Sequence, residues 1–348
     1  MGVDKTQNRK KKTALVYGVN FLLTALLFLL FTVLISSGSL SRLQSNLVIL
    51  VCINVLMAVS LNLVTGVLGQ LVLGHAGFML VGAYASALFT KNVGMALPIS
   101  FPISLVLAGL LAALFGVIIG IPALRLRGDY LAIITLGFGE IIRVLANADF
   151  LKPITNGAMG LGDIPTLYNR RTSPAGLFVY AFIIMVLVIV INFSFGRSRH
   201  GRAVIAIRED EIAAESAGVN TTYYKLFAFV LAAFIAGVAG GLYANQIQVI
   251  DPAKFDFNRS VEILIMVVLG GMGSITGSII SATVLTVLPE MLRGFDEYRM
   301  LLYSIILIAV MLFKPSGLLG RYEISVPGLF MKLWNKLKHP KQKTTGEA

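Results

Sequence analysis

The side chains best suited to binding a partner lie between residues 195 and 220, in a polar segment flanked by strongly apolar sequence. The segment opens with clustered arginines, and residues 203–217, rich in Ala, Ile and Glu, predict a short helix. Gly218 stands where a left-handed C-terminal cap is expected. Such a helix either covers the end of a helix bundle or docks onto a soluble partner protein. The candidate contact residues are Arg202, Arg208, Glu209, Asp210, Glu211, Glu215 and Gly218.

A second set of polar residues and glycines interrupts the apolar stretches themselves. Asn62, Gln70, Gly74 and His75 fall in or between two of them, and polar groups at membrane depth usually face a bundle interior or a cavity. Closely spaced glycines let helices approach each other or let the backbone unwind beside a pathway. Two interpretations stay open, tight helix packing and a lining for a translocation route.

Two further features lie within apolar sequence. Glu140 and Arg143 are three residues apart, so on a helix they share a face and can form an ion pair. That pair is either structural or part of a transport route. A glycine turn separates two apolar arms, 261–269 and 275–292, and predicts a hairpin whose turn is buried near the cytoplasmic face. The turn glycines assigned to packing or the pathway are Gly270, Gly271 and Gly273.

The elements that carry these residues follow from composition. The chain has 348 residues, of which 57% are hydrophobic and 13% charged, whereas soluble domains carry about 25% charged residues. The sequence therefore predicts an all-α polytopic membrane protein with about ten membrane segments. Those segments are 13–35, 46–64, 70–89, 97–124, 130–148, 174–195, 223–243, 261–269, 275–292 and 300–313.

The distribution of charge predicts the orientation. The net charge is +12, and Lys and Arg flank the apolar segments, which is typical of a membrane protein and argues against a nucleic-acid partner. Basic residues are more frequent in the segments assigned to the cytoplasm, so both termini are predicted there. The predicted domains are a basic N-terminus (1–12), a membrane domain (13–320) containing the cytoplasmic loop 197–221, and a basic tail (321–348). Phe330, Leu333, Trp334 and Leu337 have the spacing of an amphipathic helix on the inner leaflet, the alternative being a disordered tail.

Some chemistry has no residues to support it. The chain has no Gly-Lys pair and so no phosphate-binding loop of the G-x-x-x-x-G-K type. Its three histidines and single cysteine are scattered, which gives no readable metal cluster. The sequence therefore predicts no enzyme and no cofactor on this chain. If ATP drives transport, the ATPase is another polypeptide.

Several stretches together resemble the permeases of high-affinity branched-chain amino acid ABC importers, the LivH/LivM family. They are residues 61–66 with 69–78, 126–136, 201–203 with 206–211, and 268–274. The likeness covers roughly 46–320, and the second and third stretches fit the LivM-type subunit better than the LivH-type subunit.

The resemblance implies a complex and a fold. The partners would be a second, LivH-like permease, two cytoplasmic ABC ATPases that carry ATP and Mg²⁺, and an external solute-binding protein, in the cell membrane of a prokaryote. The fold would have ten segments like the vitamin B12 importer permease, with loop 197–221 contacting an ATPase. Arg170 and Arg171, on the longest external loop (146–172), would dock the binding protein.

Two alternatives remain at this point. Related permeases import urea, short-chain amides or sugars, so the substrate stays open. A protein of a different class, a secondary transporter or channel, could use Glu140 and Arg143 as a proton or ion site.

Overall fold

The computed structural model describes residues 22–126, 128–167, 174–314, 317–320 and 323. Within those ranges every regular element is a helix, and the only strand-like pairing is an isolated bridge between Leu161 and Ile250. The predicted all-α class is confirmed. The helices are α1 (Leu22–Ser36), α2 (Arg42–Asn62), α3 (His75–Asn92), α4 (Leu97–Ala123), α5 (Asp129–Asn147), α6 (Lys152–Thr155), α7 (Ala175–Arg197), α8 (Arg199–Glu209), α9 (Glu211–Ser216), α10 (Thr221–Ile247), α11 (Phe257–Gly270), α12 (Ile275–Met291) and α13 (Arg299–Phe313).

Among the described residues, five helical stretches are long and apolar enough to cross a membrane alone. A sixth is obtained if α5 and the stretch Lys152–Met159, bent by 86°, count as one span. The five are Arg42–Leu68, Leu97–Ala123, Ala175–Arg197, Thr221–Ile247 and Ile275–Phe295. The chain is therefore a multi-pass membrane protein. The figure of about ten segments stays a prediction, because it also needs the shorter helices α1, α11 and α13.

The core is built around α10, which packs between α3 and α4 at backbone distance. A Cβ atom added to Gly82 would lie 2.1 Å from the carbonyl oxygen of Gly237, and one added to Gly240 would lie 2.0 Å from that of Met79. On the other side, a Cβ on Gly116 would lie 2.8 Å from the Cβ of Ala233. Without a hydrophobic driving force between helices in lipid, close packing through small residues stabilises the association. These glycines pack within this chain.

The chain is broken between α2 and α3, where sequence alone predicted a segment from about residue 70. That boundary is wrong. α2 continues as a π-helix, Leu63–Leu68, and the next α-helix begins only at His75, after a left-handed Gly69 (φ +78°) and non-helical residues up to Gly74. The physical reason is tertiary, because the backbone N–H of Leu73 donates to the hydroxyl of Thr135 (3.1 Å) rather than to a helical carbonyl.

The polar segment also differs from its prediction. The single helix expected over 203–217 is wrong, because α8 and α9 are separated at Asp210, whose backbone is extended (φ −157°, ψ 110°). The Asp210 carboxylate accepts hydrogen bonds from the N–H groups of Ile212 and Ala213, at 2.9 and 3.0 Å, and so starts a new helix as its N-cap. Gly218 has the left-handed conformation that was predicted (φ +84°).

Candidate functional site

Arg208, near the end of α8, is fixed onto the π-helical turn that ends α2. Its Nη1 donates to the carbonyl oxygen of Gly66 at 2.7 Å, and its Nη2 lies 2.5 Å from Oε1 of Glu209. A Cβ on Gly69 would lie 2.4 Å from Cγ of Arg208, so the arginine stem lies directly on the backbone there. Carbonyls at a helix end have no partner of their own, and a guanidinium supplies one.

The glycine turn between α11 and α12 reaches the same point. Oδ1 of Asn62 accepts from the N–H of Gly273 at 2.8 Å. A Cβ on Gly66 would lie 2.0 Å from Asn62 Oδ1 and 2.3 Å from the backbone N of Gly273, so only glycine fits. We call Asn62, Gly66, Gly69, Arg208 and Gly273 the inner cluster. Its members, far apart in sequence, are brought together by the fold.

A second link joins the polar segment to the bundle through an ion pair. Nζ of Lys225, on α10, lies 2.7 Å from Oε1 of Glu211, the first residue of α9. The Lys225 side chain is only 3% exposed, and a buried ammonium is costly unless it is paired. Lys225 lies within the membrane segment that the sequence predicts over 223–243. A lysine in such a span requires an acidic partner, but only the fold shows which one it is.

The remaining residues of the polar segment are at the surface. Glu215 and Gly218 are exposed on or after α9, and Arg202 is exposed on α8 with its Nη1 donating to the carbonyl of Arg197 at 2.9 Å. Ile212 is also exposed (68%), although it is a large apolar residue. Of the predicted contact residues, Arg208 and Glu211 thus bind the bundle, Asp210 caps α9, and Arg202, Glu209 and Glu215 are on the outer face.

The middle of the bundle contains the other predicted cluster. A Cβ on Gly74 would lie 1.8 Å from the carbonyl oxygen of Thr135, so the chain before α3 lies against α5. Nε2 of the buried His75 is 2.7 Å from the hydroxyl of Ser60, and the N–H of Ala76 donates to Ser260. These contacts hold the start of α3, while Gln70 is half-buried in the connection before it, where its N–H donates to the carbonyl oxygen of Val64 at 3.1 Å.

The predicted pairing of Glu140 and Arg143 on α5 is present. Nη2 and Nε of Arg143 lie 2.7 and 2.8 Å from Oε2 of Glu140, and the two side chains are 31% and 32% exposed. Glu140 also borders a shallow recess beside the start of α3. Mostly apolar side chains and small residues line it, together with two carboxylates: Leu73, Gly77, Leu136, Gly139, Glu140, Phe255, Asp256, Phe257 and Ser260.

The glycine turn itself is tightly packed within the chain. Gly270 faces Gly277 across the hairpin, where an added Cβ would lie 2.5 Å from a backbone atom, and Gly271 has φ +108°. The described residues include no group of three or more His, Cys, Asp or Glu side chains that could hold a metal ion. Arg170, Arg171 and the tail helix predicted around Trp334 lie outside the described residues.

Comparison with known proteins places these features in a family. Residues 43–312 match the family model described as branched-chain amino acid transport system, permease component. The chain belongs to this permease family. It is 37% identical over 269 residues to the high-affinity branched-chain amino acid transport permease LivM of Salmonella typhimurium, a match that covers 70% of this chain and 62% of that relative. The chain thus spans less than two thirds of the length of this curated relative.

Other relatives carry similar names. The permease is 30% identical over 203 residues to LivH of Salmonella typhimurium, covering 53% of this chain and 64% of LivH. It is 32% identical over 174 residues to BraD of Pseudomonas aeruginosa, covering 46% of this chain and 56% of BraD. A solved metal-chelate type ABC transporter in an inward-facing conformation aligns with 87% of the permease and 99% of its own chain, at 16% identity and a TM-score of 0.43. The predicted likeness to the vitamin B12 importer fold stays a prediction.

Proposed function

We propose that this chain is a permease subunit of an ATP-driven importer that carries branched-chain amino acids across the cell membrane of a prokaryote. It would work with a second, LivH-like permease, two ABC ATPases that bind ATP and Mg²⁺, and an external binding protein. The names of the relatives support this substrate. The observation that carries the proposal is the polar segment, which has an exposed outer face and is tied to the bundle by both Arg208 and Glu211.

The exposed face supplies the contact with the ATPase. Ile212 is an exposed apolar side chain on α9, and the exposed side chains of Arg202, Glu209 and Glu215 add charges of both signs. Exposed apolar groups rimmed by polar ones are typical of protein-binding surfaces. With both termini in the cytoplasm, as the basic residues predict, this face lies on the side where ATP is available.

The contacts that Arg208 and Glu211 make with the bundle transmit a movement of this face into the membrane. Because Lys225 is buried on α10 and paired with Glu211, a displacement of α9 acts on α10 directly. The backbones of α10 and α3 are in contact at Gly82 and Gly240. Because such close packing leaves no free space between the helices, α3 must move when α10 moves. The start of α3 borders the recess, so hydrolysis on a partner would change the shape of that recess.

The face of α5 around Glu140 and Arg143 is proposed to line the pathway beside the second permease. The two charged side chains are each about one third exposed, whereas their neighbours Ile133, Ile141 and Val144 are exposed and apolar. A charged pair at membrane depth is costly against lipid and usually faces protein or a water-filled cavity. Carboxylates and a guanidinium beside apolar walls also suit a zwitterionic amino acid with an apolar side chain.

Uptake into proteoliposomes tests the proposal. The permease, co-expressed with the LivH-like permease and the ATPases, is supplied with the binding protein and radiolabelled leucine. We expect uptake with ATP inside the vesicles and none with a proton gradient alone. Excess unlabelled isoleucine and valine should compete, whereas urea should not. The Glu140–Arg143 pair is also what a secondary transporter would use, so uptake that follows the proton gradient without ATP would refute the proposal in favour of that class.

A further inference from the structure

A short segment after the last described helix lies against the glycine turn between α11 and α12. We call residues 317–320 together with Glu323 the C-terminal strap. The N–H of Leu318 donates to the carbonyl of Leu269 at 2.7 Å, and the N–H of Leu319 donates to that of Gly270 at 3.3 Å. These carbonyls are at the C-terminal end of α11, where a helix cannot satisfy them itself. The strap therefore completes the hydrogen bonding of α11.

The other end of the strap does the same for α12. The Glu323 carboxylate accepts from the N–H of Ile275 at 2.7 Å, and from the N–H and hydroxyl of Thr276 at 3.2 and 2.9 Å. The hydroxyl of Ser274 takes the next N–H, that of Gly277, at 3.0 Å. A carboxylate at a helix N-terminus is favourable because it satisfies free N–H groups and interacts with the helix dipole. Both helix ends at the break are thus closed by one segment.

The contact between strap and turn is close enough to exclude side chains. A Cβ on Gly271 would lie 2.3 Å from the carbonyl oxygen of Gly320, and one on Gly317 would lie 2.6 Å from the Cα of Gly271. Gly271 also has φ +108°, a conformation that other residues rarely adopt. The strap therefore packs directly against the backbone of the turn, and no flexible side chain lies between them at Gly271 and Gly317.

The same turn borders the inner cluster on its other side. Gly273 donates to Asn62, and a Cβ on Gly273 would lie 3.4 Å from Nη1 of Arg208. The strap and Arg208 thus contact one turn from two directions. The matched family region ends at residue 312, so the strap lies beyond it.

We propose that Glu323 is a positioning residue for coupling. By fixing the start of α12, it keeps the glycine turn pressed against the inner cluster, so that a movement of α8 and Arg208 displaces α11 and α12 instead of being absorbed by a loose turn. This role rests on the proposed function, because it presumes that α8 and α9 receive the movement of an ATPase.

The first test compares matched substitutions of two glutamates, one that caps the start of α12 and one near the end of α12. Glu323→Gln keeps the size of the side chain and removes its charge. Glu290→Gln does the same at the far end of α12, where Glu290 pairs with Arg293 at 2.9 Å. In proteoliposomes containing the whole transporter and binding protein, we measure leucine moved per ATP hydrolysed. A carboxylate at a helix N-terminus shifts an equilibrium by about threefold, so we expect this ratio to fall by about threefold in Glu323→Gln. ATPase activity should persist, and Glu290→Gln should match the native complex.

The second test replaces the contact between Glu323 and Thr276 by a covalent cross-link, so that one protein sample can be measured before and after the link forms. Cys52 is the only cysteine, so Cys52→Ala removes the native thiol and Thr276→Cys with Glu323→Cys places a pair at the contact. A short bifunctional thiol reagent, whose spacer replaces the lost length of the glutamate side chain, should bridge the pair and raise the transport ratio above that of the unbridged form. The cross-link also tests the contact without relying on transport.

Three results would overturn the positioning role: an unchanged ratio in Glu323→Gln, a cysteine pair that the bifunctional reagent does not bridge, or equal ratios before and after bridging. Failure of the proposed function has a different signature, since the native complex would then move no leucine with ATP. ATP-driven uptake in the native complex with normal coupling in Glu323→Gln refutes only the role of Glu323.

Discussion

The ion pair between Lys225 and Glu211 can be broken from either side with unequal cost. Glu211→Gln leaves a buried ammonium without its counter-charge, because the Lys225 side chain is 3% exposed. Removing one partner of a buried pair typically costs about 3–5 kcal/mol. Since the Glu211 side chain is itself 26% exposed and water reaches the site, we expect about 3 kcal/mol, the lower end of that range.

The reverse substitution should cost less. Lys225→Met places an apolar side chain of similar length in a buried position and leaves Glu211 partly open to water. We expect a loss of about 1 kcal/mol or less, as for an exposed pair. Combining Lys225→Met with Glu211→Leu should recover most of the stability, because well-packed apolar residues often replace a buried pair at no cost. Lys225→Met combined with Glu211→Gln should likewise cost much less than the sum of the two single changes.

Thermal unfolding of the purified transporter, with and without each substitution, provides the measurement. Glu215→Gln is the matched control, since it alters an exposed glutamate on the same helix, α9. The order of stability should be native, Glu215→Gln and the apolar double variant close together, Lys225→Met slightly lower, and Glu211→Gln lowest. If Glu211→Gln is no less stable than Glu215→Gln, Lys225 does not depend on Glu211 and the link between α9 and α10 is refuted.

Two further predictions concern the inner cluster and the external loop 146–172. Gly66→Ala should lower the unfolding temperature and abolish uptake, because its Cβ would lie 2.3 Å from the backbone N of Gly273, and overpacking costs about 1–3 kcal/mol. Gly137→Ala, on an open part of α5, is the control and should be neutral or stabilising by up to about 1 kcal/mol; equal effects would refute the close contact. Changing Arg170 and Arg171 together to Glu should weaken docking of the binding protein and flatten its dependence on salt, since rim charges act on association rate and are screened by ions. Association rates in nanodiscs at two salt concentrations measure this, and equal salt slopes for native and variant proteins would contradict it.

Several features were determined by the sequence alone because they depend on neighbours within one or two helical turns. A composition of 57% hydrophobic residues allows little other than membrane helices, and the helical class is confirmed. The Glu140–Arg143 pair follows from a spacing of three on a helix. The left-handed Gly218 and the glycine turn at 270–274 follow from the freedom of residues without a Cβ.

Other features needed the tertiary structure, since hydrogen bonds from distant parts of the chain outweigh local preference. The α3 helix begins late because Thr135, on α5, takes the N–H of Leu73. The Asp210 cap shows the same limit at short range, because an aspartate can favour either a helix interior or a new helix start and the chain adopted the second. Arg208 and the carbonyl of Gly66, which form a hydrogen bond, are 142 residues apart. Glu211 was predicted to contact a partner protein, and the fold instead pairs it with Lys225. Charge and periodicity specify that a buried cation needs a partner, but only packing of the helices decides which group lies within reach.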